Sequence, residues 1–169
     1  SSVIIPSSVK IIAAYAFEQC RKLETVKFED QSCLEEIQPW AFSRSHLRSI
    51  NVPKTVKEIH CNAFFWCKRL REVNFEEGSL LVEIHHAAFK ETPLSEITLP
   101  IQTSKIGKGA FQNCTNLKEL SIYHHGDLYT DKNAFKNVNE DFVLNISTQT
   151  KLLGKGYLEH SEKVHQFNE

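Results

Sequence analysis

Two pairs of consecutive residues, His60-Cys61 and His85-His86, carry the side chains in this chain best suited to hold a transition metal. Imidazole nitrogens and thiolate sulfurs are the donors that zinc gathers, four at a time, in tetrahedral sites. Each pair follows an aliphatic residue, Ile59 or Ile84, at the same place in a repeated unit. Stacking of units sets His60 beside His85 and Cys61 beside His86. Consecutive side chains tend to point apart, however, and Gly107 holds the matching place in the next unit, which suggests little room inside. The expectation is a polar turn without metal or other cofactor. Zinc at His60, Cys61, His85 and His86 stands as the alternative. His124 and His125 with Asp127 and Asp131 form a second cluster, read as a solvated turn. No Ser, His and Asp set and no carboxylate pair has the spacing of a catalytic motif, so the chain does not read as an enzyme. Asn113-Cys114-Thr115 and Asn145-Ile146-Ser147 match the N-glycosylation acceptor pattern.

What places these residues is a repeat. Ala-Phe occurs at Phe17, Phe42, Phe64, Phe89, Phe111 and Phe135, with successive separations of 25, 22, 25, 22 and 24 residues. Units of this length stack as a solenoid, in which each coil offers its neighbour the same apolar group in the same place. The Phe residues could suggest a stacking platform for bases or sugars, but their Ala and aliphatic flanks make them an internal spine. Five residues before each of the first five Phe stands Ile12, Ile37, Ile59, Ile84 or Ile106. After each comes Leu23, Leu47, Leu70, Leu94 or Leu117, then an apolar-polar-apolar segment such as Val26-Lys27-Phe28 or Ile50-Asn51-Val52. That alternation predicts a short half-buried strand in every unit.

A second period of 47 residues relates Pro6, Pro53 and Pro100, and likewise Cys20, Cys67 and Cys114. Two kinds of unit therefore alternate. One has Pro directly after its strand and Cys three residues after its Phe. The other has a turn two residues longer, acidic at Glu29-Asp30 and Glu76-Glu77, with Ser45 or Thr92 in the Cys place. Thiols in alternate coils stand about 10 Å apart at strand spacing, beyond the roughly 7 Å between Cα atoms that a disulfide spans. Cys20, Cys67 and Cys114 are thus expected to be free and buried. Cys33 and Cys61 sit at different offsets and are left unpaired.

The pattern weakens after Phe135. Phe142 to Ile146 reads as a seventh strand, and Leu152 to Leu158 as a degenerate last coil before a polar tail from Glu159 to Glu169. Residues 1–140 are therefore assigned to repeats and 141–169 to the last repeat and a C-terminal cap. The first residues already lie inside the pattern, so the chain is expected to be an N-terminally truncated fragment. Val3-Ile4-Ile5 is then an uncovered edge strand that invites self-association.

Composition narrows the partners. A hydrophobic share of 41% and a charged share of 24% suit a folded chain. A net charge of −1 with dispersed Lys and Arg gives no footprint for nucleic acid. No apolar run approaches the roughly 20 residues that span a bilayer. Five cysteines, an odd number, argue mildly against an oxidising compartment.

The composite unit A-F-x-x-C-x-x-L-x-x-V-x-F-E-x-x-S-x-L-x-x-I resembles the BspA-like leucine-rich repeats of bacterial and trichomonad surface proteins, over about Val3 to Val138. The resemblance implies a leucine-rich repeat solenoid of about six to seven coils. Short parallel strands would lie on its concave side, with turns and short helical segments elsewhere. It also implies a cell-surface or extracellular adhesion or antigen protein that binds a host or matrix macromolecule. An intracellular scaffold for protein–protein interaction, located in the cytoplasm, is the alternative, and a metal-binding protein a further one. The family carries no invariant binding residues, so candidates come from the strand face. They are Lys27, Asn51, Asn74, Thr98 and Ser121, with Glu72 and Glu96 beside them.

Overall fold

Apolar residues two apart leave one strand face buried, and a coil of about 23 residues hides that face only against its neighbours. The computed structural model, which describes residues 1–154 and 164–167, shows this stacking. One side carries the longer strands β1 (Ser2–Ile5), β3 (Thr25–Phe28), β5 (Ser49–Val52), β7 (Glu72–Phe75), β9 (Glu96–Leu99), β11 (Glu119–Ile122), β13 (Val143–Ser147) and β15 (Val164–Phe167). Between them run β2 (Ile11–Ile12), β4 (Glu36–Ile37), β6 (Glu58–Ile59), β8 (Glu83–Ile84), β10 (Lys105–Ile106), β12 (Gly126–Thr130) and β14 (Thr150–Leu153). The even-numbered strands form one continuous parallel sheet from β2 to β14. The odd-numbered strands form two parallel sheets, β1-β3-β5-β7 and β9-β11-β13-β15. Of the degenerate last coil, Leu152 and Leu153 lie in β14. Lys155 to Leu158, and the tail apart from β15, fall outside the described residues.

The helical segments expected between strands do not occur among the described residues. Each Ala-Phe lies in a run of tight turns instead. The residues two before and two after every such Phe are left-handed, as at Trp40 and Arg44 (φ 62° and 55°) or Asn62 and Trp66 (φ 57° and 58°). A left-handed residue every four positions prevents a helix from propagating, at roughly 1–2 kcal/mol for each non-glycine residue. Bonds to the next coil offset this cost. The N–H groups of Trp40, Phe42 and Arg44 donate to the carbonyls of Cys61, Ala63 and Phe65 at 3.1, 2.8 and 2.8 Å, and later coils repeat the pattern.

The Phe rings form the spine. Successive rings from Phe17 to Phe135 lie 5.1, 5.3, 5.2, 5.4 and 5.9 Å apart between centroids, within 10° of parallel. Phe142 adds a last rung at 5.4 Å although no Ala precedes it. Phe42, Phe64, Phe89, Phe111 and Phe142 are fully buried. Where the aliphatic pattern breaks, a hydrogen bond fills in. Thr103, in an otherwise Val or Leu place, donates to the Leu81 carbonyl at 3.0 Å.

All five cysteines are free. Cys67 and Cys114 are buried, whereas Cys20, expected to be buried like them, is half-buried. The alternation of Cys with Ser or Thr also has a physical basis. Cys67 Sγ donates to the Phe42 carbonyl at 3.0 Å and lies 3.5 Å from Ser45 Oγ. Cys114 does the same toward the Phe89 carbonyl at 3.1 Å and Thr92 Oγ1 at 3.3 Å. Burial pushes the Cys67 thiol up to about 11 and raises that of Cys114.

Two outcomes follow from this packing. Phe89→Ala removes a central rung and is expected to cost about 3–5 kcal/mol, read as a lower urea midpoint. A change below about 1 kcal/mol would place Phe89 outside the core. In native protein at mildly alkaline pH, a thiol reagent is expected to modify exposed Cys33 quickly and Cys67 and Cys114 only on unfolding, as peptide mass mapping would show.

Candidate functional site

The ladder of longer strands thins at β3/β5 and breaks at β7/β9, the two seams at which proline follows the second strand. Inside a coil pair the ladder closes with a rung from the residue after the strand. Glu29 N–H donates to the Ile5 carbonyl and Glu76 N–H to the Val52 carbonyl, each at 3.1 Å. The Glu29 and Glu76 carboxylates also accept from the Ser7 and Lys54 N–H groups at 2.9 Å, which locks the acidic turn onto the proline turn. At the next seam the matching donors would be Pro53 and Pro100, which have no N–H. The seam between β3 and β5 keeps a single registered pair, Thr25 with Ser49. Between β7 and β9 the described residues show no ladder.

Each open seam is a groove on the strand face. The β3/β5 groove is about 310 Å³ and is lined by Lys27, Phe28, Asn51 and Glu76. The β7/β9 groove is about 740 Å³. Buried Val73, Ile97 and Leu99 and half-buried Phe75 supply its apolar floor. Its walls hold the exposed carboxylates Glu72, Glu76, Glu77, Glu96 and Glu119 against one guanidinium, Arg71. Polar side chains form two separate networks on this face, one on either side of Glu96 and Thr98. Asn74 Nδ2 donates to Asn51 Oδ1 at 3.1 Å and to Glu72 Oε1 at 2.6 Å. Ser121 Oγ and Asn145 Nδ2 donate to Glu119 Oε1 at 3.0 and 2.7 Å. Among the described residues the side chains of Glu96 and Thr98 have no hydrogen-bond or ion-pair partner.

The candidates read from sequence fall into these grooves. Glu72, Asn74, Glu96, Thr98 and Ser121 line the larger one, and Lys27 and Asn51 the smaller. Ser121 is covered by its neighbours. Of the two glycosylation patterns, Asn113 is half-exposed and its Oδ1 accepts from Asn137 at 2.9 Å. Asn145 is 8% exposed, with its amide nitrogen committed to Glu119 and Ser121.

The zinc set read from sequence assembles only in part. His60 and His85 stack with centroids 4.8 Å apart. His86 turns away to donate from Nδ1 to the Lys108 carbonyl at 2.8 Å, and Cys61 does not join the group. Consecutive side chains leave a tight turn in different directions, so each pair splits. Glu58, one strand residue before Ile59, converges on the two rings instead. His124 donates to the Ile101 carbonyl at 2.9 Å, and the cluster around it does not converge among the described residues.

An aromatic group was not anticipated. Tyr15 stacks on Trp40 at 6.4 Å, and Trp40 meets Phe65 edge-on at 5.7 Å. Tyr15 and Trp66 are 58% and 45% exposed on the Ala-Phe side. Tyr15 and Trp40 occupy the same place two before Phe17 and Phe42, a signal that the repeat alignment contains. No helix among the described residues is long and apolar enough to cross a membrane.

The BspA type leucine rich repeat region matches this chain in six copies, over residues 1–118 and 82–168. A leucine rich repeat protein of T. pallidum is similar in structure, with a TM-score of 0.75, 23% identity, and 90% of this chain and 72% of that one covered. A leucine rich cell surface protein of Faecalibacterium prausnitzii A2-165 gives 0.59 and 18%, covering 97% of this chain and 62% of its own. The pneumococcal vaccine antigen PcpA gives 0.55 and 20%, covering 87% and 52%. The chain thus spans about half of the pneumococcal antigen and three fifths of the F. prausnitzii protein. At these identities the likeness shows a shared fold. No curated protein sequence matches the chain significantly.

Proposed function

The chain belongs to the BspA-type leucine-rich repeat family, and we propose that it is a non-enzymatic recognition module of a cell-surface protein, one that holds a cationic segment of a partner protein in the β7/β9 groove. The observation that carries this reading is the groove itself, in which five exposed carboxylates face one guanidinium above an apolar floor. Glu96 and Glu119 are directly paired in register on neighbouring strands. Like charges at that spacing repel, and a Lys or Arg side chain lying between them relieves the repulsion. The rungs not made between β7 and β9 also leave backbone donors and acceptors for water or a bound chain. Extended strand faces are what solenoids present to partners. The names of two structural relatives, a vaccine antigen and a cell surface protein, support a surface location.

A second reading keeps the same face and puts it inside the cell. The five free thiols favour it, because reducing compartments keep thiols unpaired. Labelling of intact parent cells with an impermeant amine reagent separates the two, since only a surface protein is modified.

The groove is tested with a fluorescent peptide of alternating Lys and Ser, followed by anisotropy. Binding is expected to weaken with salt and to fall about 10-fold or more, roughly 1.4 kcal/mol, in Glu72→Lys/Glu96→Lys. Lys27→Glu, in the other groove, is expected not to weaken it. Equal binding by the charge-reversed protein would remove the β7/β9 groove as the site.

A further inference from the structure

We propose that Glu58, His60 and His85 form a zinc site that clips the third and fourth coils together. Their ligand atoms all lie within 4.8 Å of one another. Glu58 Oε2 is 2.8 Å from His85 Nε2 and 3.7 Å from His60 Nε2. Two donors bound tetrahedrally to zinc at about 2.0–2.1 Å stand about 3.3 Å apart. Small side-chain rotations therefore bring the three into place. Glu36 Oε2, 3.4 Å from His60 Nε2, is placed to supply a fourth ligand or to hold a bound water.

Two features of the corner favour a cation over a self-satisfied polar turn. First, His60 Nε2 is buried and, with the Glu36 and Glu58 carboxylates 3.4 and 3.7 Å away, makes no well-aligned hydrogen bond among the described residues. A buried ring nitrogen without a hydrogen bond is costly, and a metal satisfies it. Second, Glu36, Glu58 and Glu83 stack in consecutive register on β4, β6 and β8. Carboxylates directly opposite one another destabilise a sheet. Lys105 pairs with Glu83 at 2.8 Å on the last coil of this row, whereas Lys57 and Lys105 act on Glu36 and Glu58 only from beyond ion-pair distance among the described residues. A divalent ion beside Glu58 neutralises the centre of the row.

The surroundings also orient the ligands. His85 Nε2 is hydrogen-bonded to Glu58 Oε2 at 2.8 Å, and its Nδ1 lies 3.4 Å from Glu83 Oε1, a carboxylate placed to orient the ring when zinc takes the place of the proton between Nε2 and Glu58. The parallel stacking of the rings, within 12°, sends both Nε2 atoms toward the same carboxylate. Imidazole donors select zinc over magnesium or calcium. The matching places in the flanking coils are Gln38 and Gly107, so the imidazole pair occurs once. At Gly107 a Cβ would lie 2.8 Å from the His85 carbonyl carbon, so the chain packs directly onto the backbone beside the site.

The test is calorimetric titration of the whole chain with zinc chloride, with cobalt(II) absorption and thermal melts alongside. One ion per chain is expected, with a melting temperature that rises with zinc and returns with chelator. His85→Gln and Glu58→Gln are each expected to weaken zinc by more than about 100-fold, beyond the roughly 10- to 100-fold that loss of an outer partner costs. Their melting temperatures in chelator should match the parent, which shows that they fold. Cys61→Ser and His86→Gln should bind zinc as the parent does, and the cobalt spectrum should lack a thiolate charge-transfer band. Absence of zinc heat in the parent, unchanged affinity in the Glu58→Gln/His85→Gln double variant, or a thiolate band would each overturn the assignment.

Discussion

Everything in this molecule depends on register between coils. A coil of this length has no core of its own, so its Phe, its inward aliphatic residues and its backbone donors must meet the same groups one coil away. The Phe rings show how tightly this is met, with spacings between 5.1 and 5.9 Å from Phe17 to Phe135. Each ring from Phe17 to Phe111 lies between left-handed residues whose N–H groups reach the next coil, while residues flanking the strands, such as His60 and Arg71, donate to the preceding one. Ring stacking and backbone bonding therefore enforce the same alignment, and neither can slip without the other.

That constraint explains where variation is allowed. The continuous sheet of even-numbered strands and the Phe spine permit few changes. The side of the odd-numbered strands is looser because proline removes one rung at every second seam. The resulting grooves repeat with the same 47-residue period as Pro6, Pro53 and Pro100. Beyond β11 the seam closes, since Ser147 rather than proline follows Ile146, and β11 pairs with β13 at four positions. The larger groove thus lies between two well-paired sheets, where rigid walls can hold an acidic surface open. The His60 and His85 corner uses the opposite property, because the unbroken β4-β6-β8 ladder holds charged and imidazole side chains at fixed spacing.

Much of this was legible from residues alone, because a repeat states the same physical requirement six times. Phe42, Ile37 and Leu47 announce their burial by recurring in step, and Val26-Lys27-Phe28 announces a strand by alternation. What stayed hidden depends on two coils at once or on backbone geometry. Pro53 and Pro100 read as turn residues, and only the registered neighbour shows that their missing N–H opens a seam. The turns around Ala-Phe have short-range bonds like a helix, and nothing at Tyr15, Trp40 or Glu91 marks a left-handed residue. Phe142 escaped as the last rung because it lacks the preceding Ala. At the imidazole corner, sequence adjacency favoured Cys61 and His86, whereas Glu58, two residues before His60, is the one that shares its direction.

The open seam between β7 and β9 is the claim on which the functional reading stands, and amide hydrogen exchange tests it most directly. The Glu76 to Val52 bond shows that alternate N–H groups of a strand face the preceding coil. By that alternation Glu72 and Asn74 N–H face β5, and Glu96 and Thr98 N–H face β7. Glu96 and Thr98 should exchange much faster than Glu72 and Asn74, and Pro100→Ala, which restores the missing donor, should slow them. Equal protection of the two pairs in the parent protein would mean that the seam is closed and that the groove is not a feature of the folded chain.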